Sequence, residues 1–162
     1  VTHRILQSNR QRTRRLDHDR IHAFIEAAAT DIWDRPVEVS LTFLGPRAMA
    51  LANREHRGYQ GVTDQISFPM SSVPAPDGVA LVGDLLVCPA VVAAQSGAAP
   101  PDGRPVTGSP DRELALVLCH GLLHLRGHTH ADGDDATAMI AEENRLFAAH
   151  ASLLDGVYLA TD

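Results

Sequence analysis

Three observations predict an α+β fold, a small mixed β-sheet packed with helices in a single domain of 162 residues. Residues 37–44 alternate apolar and polar side chains, as a strand with one buried face does. Residues 109–126 open on a capping serine, a proline and first-turn acids, then carry an apolar stripe at helical spacing. The elements then run helix, strands, helix, strand, helices, which suits a small mixed sheet covered by helices. A chain of this length buries about two-thirds of its unfolded surface without disulfides or other staples.

Residues 1–16 begin with the apolar pair Ile5-Leu6 and turn basic through Arg10, Arg12, Arg14 and Arg15. They read as a solvated basic N-terminal segment, with phosphate contact as the functional alternative. A helix is predicted over 17–33, because Leu16, Ile21, Phe24, Ile25, Ala28 and Ile32 recur at helical spacing. Asp17 and Asp19 suit its positive N-terminal end. Arg35-Pro36 stops it and the strand 37–44 follows. Gly45-Pro46 turns the chain into a short helix, 47–54, with Met49 inward, and 55–64 reads as a polar loop. A second strand, 65–69, ends at its own proline.

The Ser, Pro and Gly content of 70–78 predicts a mobile loop. A third strand, 79–88, is interrupted by Gly83-Asp84, a sign of a bulge or a close backbone approach. Pro89 opens a helix to about residue 96, with Val91, Val92 and Ala94 available for packing, and no regular structure is expected over 97–109. In the helix 109–126, Leu114, Leu118, Gly121 and Leu125 form the buried stripe, and the neighbouring face carries histidines. A last helix, 135–150, turns Met139, Ile140, Leu146 and Phe147 inward.

The formal charge is −6, and with no lysine in the chain arginine supplies every fixed positive charge. That excludes a global basic footprint, so any nucleic-acid contact must be local. Cys88 and Cys119 sit inside apolar runs and read as buried core residues, not as a redox pair. No signal-peptide-like run begins the chain, and no apolar stretch approaches the ~20 residues of a membrane span. A soluble, cytoplasmic protein is expected.

The chemistry concentrates in His120-Gly121-Leu122-Leu123-His124-Leu125-Arg126-Gly127-His128-Thr129-His130. Residues four apart share a helix face, so His120 and His124 present two imidazoles side by side. Gly127 lets the chain leave the helix and return a third histidine, His130 or alternatively His128. Two histidines on a helix and one on the next turn match a three-ligand catalytic zinc site with an open position. The spacing also fits metzincin proteases, but those need a glutamate general base directly after the first histidine. Gly121 stands there instead.

His-Gly-x-Leu-His-Leu-x-Gly-x-x-His resembles the signature of the YbeY family of bacterial metal-dependent endoribonucleases. Residues 51–58 are similar to that family's LN..YRG segment, 63–69 to its TDVLSFP segment and 83–88 to its GDIVIC strand. Met139 and Glu142 fit its M..E pattern on the last helix, so the resemblance covers about 37–150. It implies an α+β fold with one Zn2+ ion on His120, His124 and His130. It implies cleavage of single-stranded RNA in small-subunit ribosomal RNA maturation and ribosome quality control, with ribosomal proteins or an assembly GTPase as partners. Arg57 falls on the family's functional arginine. Two positions depart from the pattern: His128-Thr129 replaces Tyr-Asp before the third histidine, and Arg126 stands where leucine is common.

A three-histidine zinc site lowers the pKa of water and polarises phosphorus, while a guanidinium binds two oxygens of the developing charge. Arg57 and His120 are therefore the candidate catalytic residues. Asp64 reads as a turn cap or a partner of Arg57, and Asp84 as a bulge residue; Ser67 is a weaker candidate. Glu113 lies two turns before His120 on the same stripe, and Tyr59 is a candidate base-stacking ring. A noncatalytic ribosome-assembly factor rigidified by zinc is the rival from another class, and a metzincin-like metalloprotease is the third reading.

Overall fold

A computed structural model describes residues 2–99 and 106–160. Its elements are β1 (Arg4–Arg10), α1 (His18–Ile32), β2 (Val37–Leu44), α2 (Pro46–Arg57), β3 (Gln65–Pro69), β4 (Ala80–Val87), α3 (Pro89–Gln95), α4 (Pro110–Arg126) and α5 (Gly133–His150), followed by a 3-10 turn at Ala151–Leu154. The expected irregular segment 97–109 lies partly outside the described residues.

The strands form one mixed sheet in the order β1-β2-β4-β3. β1 and β4 run parallel to β2, whereas β3 pairs antiparallel with β4. Parallel neighbours need a crossover, and α1 supplies the one between β1 and β2. β1 corrects the expectation of a solvated arm over 1–16. It is an edge strand held by its register with β2, Arg4 opposite Glu38 through Arg10 opposite Leu44. Because none of its side chains is fully buried, it lacks the apolar alternation that would announce a strand.

Local chemistry fixes the helix ends. The Asp17 side chain caps α1 by accepting from the amides of Asp19 and Arg20. Ser109 does the same for α4 through Arg112 N–H, and Asp132 for α5 through Asp135 N–H. α2 runs one turn beyond the expected 47–54, to Arg57, and stops at Gly58 in the left-handed conformation. Three basic residues in that last turn complement the negative end of the helix dipole. Arg57 is thus carried on a helix and not on a loop.

α4 is the central helix: eleven of its residues are buried, including Leu114, Leu118, Leu122 and Leu125. It packs against α3, α5 and β3. Two glycines let it sit close to the sheet. A Cβ on Gly83, whose φ is +147°, would stand 2.3 Å from the Phe68 carbonyl oxygen and 2.7 Å from Leu125. A Cβ on Gly121 would stand 3.0 Å from Leu85. The interruption expected at Gly83-Asp84 is both a close approach and an irregularity, since the β2–β4 register shifts between Glu38 and Val39 opposite Leu81 and Gly83. Asp84 lies opposite Ser40, immediately beyond the shift.

Candidate metal centre

α4 brings His120 and His124 to one face, and Gly127, at φ 112°, reverses the chain. The amide of Gly127 donates to the His124 carbonyl at 3.0 Å and that of His128 to the Leu123 carbonyl at 3.0 Å, closing the helix and sending His130 back over it. His120 Nε2 then lies 2.9 Å from His124 Nε2 and 3.4 Å from His130 Nε2. One nitrogen from each of the three falls within 4.8 Å of the others.

The remaining ring nitrogens explain why these three atoms converge. His120 Nδ1–H donates to the buried carboxylate of Glu143 on α5. His124 Nδ1–H donates to the backbone carbonyl of His128 at 3.0 Å. With those protons engaged, the Nε2 lone pairs of both rings face a common point, an arrangement that a cation satisfies. Nitrogens about 2.0–2.1 Å from a tetrahedral zinc ion stand about 3.3 Å apart, close to the separations here. The donor set therefore fits a zinc-like ion with an open position. Burial, and then the neighbouring His120, lower the pKa of His124 and favour its neutral, ligating form.

His128 contributes its backbone, not its ring, to this cluster; its side chain lines a separate cavity with Arg126, Asp31, Asp135 and Glu142. Arg126 accordingly does not line the histidine cleft. That cleft, about 570 Å³, is bounded by the three histidines, by β3 from Gln65 to Pro69, and by His56 and Arg57 of α2. Arg57 enters it with its guanidinium carbon 5.0 Å from the centre of the Tyr59 ring. Tyr59 is thus engaged as a support for the arginine.

Other expectations are redistributed. Asp64 does not hold Arg57: its carboxylate accepts from Gln95 Nε2 at 2.9 Å and its carbonyl from Cys88 N–H. Glu113 accepts from Thr107 Oγ1 at 2.7 Å and from Gln95 Nε2 at 3.2 Å, so it braces α3 against α4 away from His120. Ser67 donates to Gln65 Oε1 at 2.8 Å on the cleft wall. The acid that reaches His120 is Glu143, which the sequence did not single out; the acid considered beside His120 there was Glu113. Glu142 pairs instead with Arg145 at 2.7 Å. The signal was present: Glu143 lies one helical step from the fully buried Met139, on the same face. Cys119 is buried beside Glu143, and burial pushes its thiol up to about 12, which leaves it protonated.

The model of the endoribonuclease YbeY family matches residues 6–151. The chain belongs to that family. An endoribonuclease YbeY of Cutibacterium acnes is 35% identical over 117 residues, 69% of this chain and 71% of the relative. Its namesake in Neisseria meningitidis is 35% identical over 121 residues, 71% and 65% of the two chains. That of Mycobacterium tuberculosis is 36% identical over 116 residues, 67% and 62% of the two. The aligned part thus spans about two-thirds of each YbeY relative. The solution structure of a Thermotoga maritima protein shares the fold, with a TM-score of 0.56 at 20% identity over 95% of this chain and 89% of that one.

Proposed function

We propose that this YbeY-family chain is a zinc-dependent, single-strand-specific endoribonuclease acting in the cytoplasm on small-subunit ribosomal RNA, in its maturation and in ribosome quality control. The family supports the nuclease class. The observation that carries the metal-dependent reading is the convergence of the Nε2 atoms of His120, His124 and His130 on one point. The RNA is the principal partner, with ribosomal proteins or an assembly GTPase as delivering partners.

When bound, a zinc ion would supply Lewis acidity toward a phosphoryl oxygen and a water of lowered pKa. The chain's own residues orient and stabilise. Glu143 holds the His120 ring through its Nδ1–H, and the His128 carbonyl holds His124. Arg57 is placed to bind two non-bridging phosphate oxygens as charge builds on them, and Tyr59 restrains the guanidinium from behind. The protease reading has no support here. A glutamate at position 121 would have to grow into Leu85 and Gln65, where even a Cβ meets atoms at 3.0–3.2 Å.

The test is cleavage of an end-labelled RNA with single-stranded tails by wild type and by His124→Ala prepared identically. Metal-dependent cutting that vanishes in the variant is the expected result. Equal cutting by both would mean a contaminating nuclease. No cutting by either, with zinc bound to wild type, would move the assignment to a noncatalytic assembly factor.

A further inference from the structure

A second recess lies beside the first, outside the histidine cleft. It is an open groove of about 1140 Å³ between the end of β1 and the start of α2. Four arginines line it, Arg10 and Arg12 from the β1 end and Arg47 and Arg54 from α2, and among the described residues no aspartate or glutamate does. All four are exposed, and none of their guanidinium groups has a hydrogen-bond or ion-pair partner among the described residues. This concentration is notable in a chain of formal charge −6. Unpaired like charges gathered in one concavity repel each other, so an anionic occupant gains from every one of them.

The rim is built, not frayed. The buried Gln11 side chain donates to Asn9 Oδ1 at 2.9 Å and to the Arg14 carbonyl at 2.7 Å, and accepts from Arg14 N–H and Thr13 Oγ1 at 2.8 and 2.9 Å. Those bonds fix the turn that displays Arg12. Across the groove, α2 starts after Gly45 without a side-chain cap, and Gly45, Pro46, Arg47 and Ala48 of that start line the same space. Arg47, Leu51 and Arg54 follow at helical spacing, so both arginines stand on the groove-facing stripe. One turn further along the same helix, Arg57 enters the histidine cleft. Ten residues at 1.5 Å rise set Arg47 about 15 Å from Arg57 along the helix axis.

We propose that this groove is an exosite for the phosphodiester backbone of single-stranded RNA, holding the strand beside the segment presented to the histidine cleft. The inference rests on the reading that RNA is the substrate. It resolves how a net acidic protein holds a polyanion: α2 carries a local basic track from the groove to the metal centre. The contacts are to phosphate and carry no base specificity.

The test is equilibrium binding to zinc-loaded protein of a fluorescein-labelled, single-stranded 2′-O-methyl oligoribonucleotide of about 20 nucleotides, followed by anisotropy between about 50 and 200 mM salt. Probe integrity is checked on a gel after each titration. Wild type is compared with R47Q/R54Q, with the charge-conserving R47K/R54K, and with R35Q/R145Q, which removes the same charge outside the groove. R47Q/R54Q is expected to bind roughly tenfold more weakly at the lowest salt, with a log–log salt slope shallower by about 1.4, the value for two lost phosphate contacts. R47K/R54K should restore most of the slope, which a folding defect would not allow. Binding and slope in R47Q/R54Q equal to wild type, or no weaker than in R35Q/R145Q, would overturn the exosite. So would wild type that shows no salt-dependent binding. Failure of the nuclease reading is a separate result: a protein that binds through the groove yet does not cut in the cleavage test keeps the exosite and loses the enzyme.

Discussion

Glu142 and Glu143 are adjacent acids on α5 with opposite surroundings, and the difference decides which one serves the site. Glu142 pairs with Arg145 near the surface, whereas Glu143 is 1% exposed and accepts the His120 Nδ1 proton. A carboxylate behind a ligating imidazole fixes its tautomer and raises its basicity, so Glu143→Gln is expected to weaken zinc affinity about 10- to 100-fold. Competition against a chromophoric chelator measures this, and unchanged affinity would remove Glu143 from the site. Arg57→Ala makes the complementary prediction. Metal content stays at the wild-type level while RNA cleavage falls about 10²–10³-fold, the usual loss for one transition-state donor. Equal activity in that variant would exclude Arg57. The histidine pair was legible from sequence, because helical periodicity alone brings His120 and His124 together, whereas Arg57 was singled out by the family resemblance. Glu143 was not, because its partner lies 23 positions away and packing between helices selects it over its neighbour.

Among the elements, β2, β3, β4 and all five helices announce themselves by alternation, caps and apolar stripes, with shifts of a few residues at their ends. β1 does not, because pairing with β2 stabilises an edge strand whose side chains are largely polar. Its entry is anchored by His3, a buried residue whose ring lies 3.2 Å from Thr30 Oγ1 and whose Nδ1 accepts the Val37 amide at 3.2 Å. Burial lowers the pKa of His3 more than the Glu26 carboxylate raises it. The unfolded chain therefore takes up a proton near pH 6.5 that the folded chain resists. The stability this group contributes is present above that pH and is lost as pH falls from it toward the lower folded value. Urea midpoints at pH 7.5 and 5.5 should differ less in His3→Gln than in wild type; identical differences would dismiss His3 as a contributor. On β4, Gly83→Ala adds a Cβ 2.3 Å from the Phe68 carbonyl oxygen at a φ of +147°. Positive-φ strain alone costs about 1–3 kcal/mol, and the contact with the Phe68 backbone must also shift β3. A urea midpoint within error of wild type would contradict this close packing.

At the scale of the whole molecule, one helix joins fold and site, since α4 is at once the buried centre of the packing and the bearer of two candidate ligand rings. The third ring arrives on the turn after Gly127, and the acid behind the first comes from α5. Metal binding at this cluster would therefore stabilise the α4 terminus, the following turn and α5 together. Zinc that binds only the folded state adds about 2.7 kcal/mol at 100 times its dissociation constant. For a chain of this size each 1 kcal/mol moves the melting temperature by about 2–4 °C, so zinc should raise it by about 5–10 °C over the chelated protein. His124→Ala should fold and melt near the chelated wild type, with little response to zinc. Protonation competes for the same nitrogens, so the rise should shrink as pH falls below the range where all three imidazoles are neutral. An equal rise in His124→Ala would place the ion elsewhere. Wild type unmoved by zinc would detach the convergent histidines from metal binding, and with it the reason for reading α4 as a hydrolytic helix.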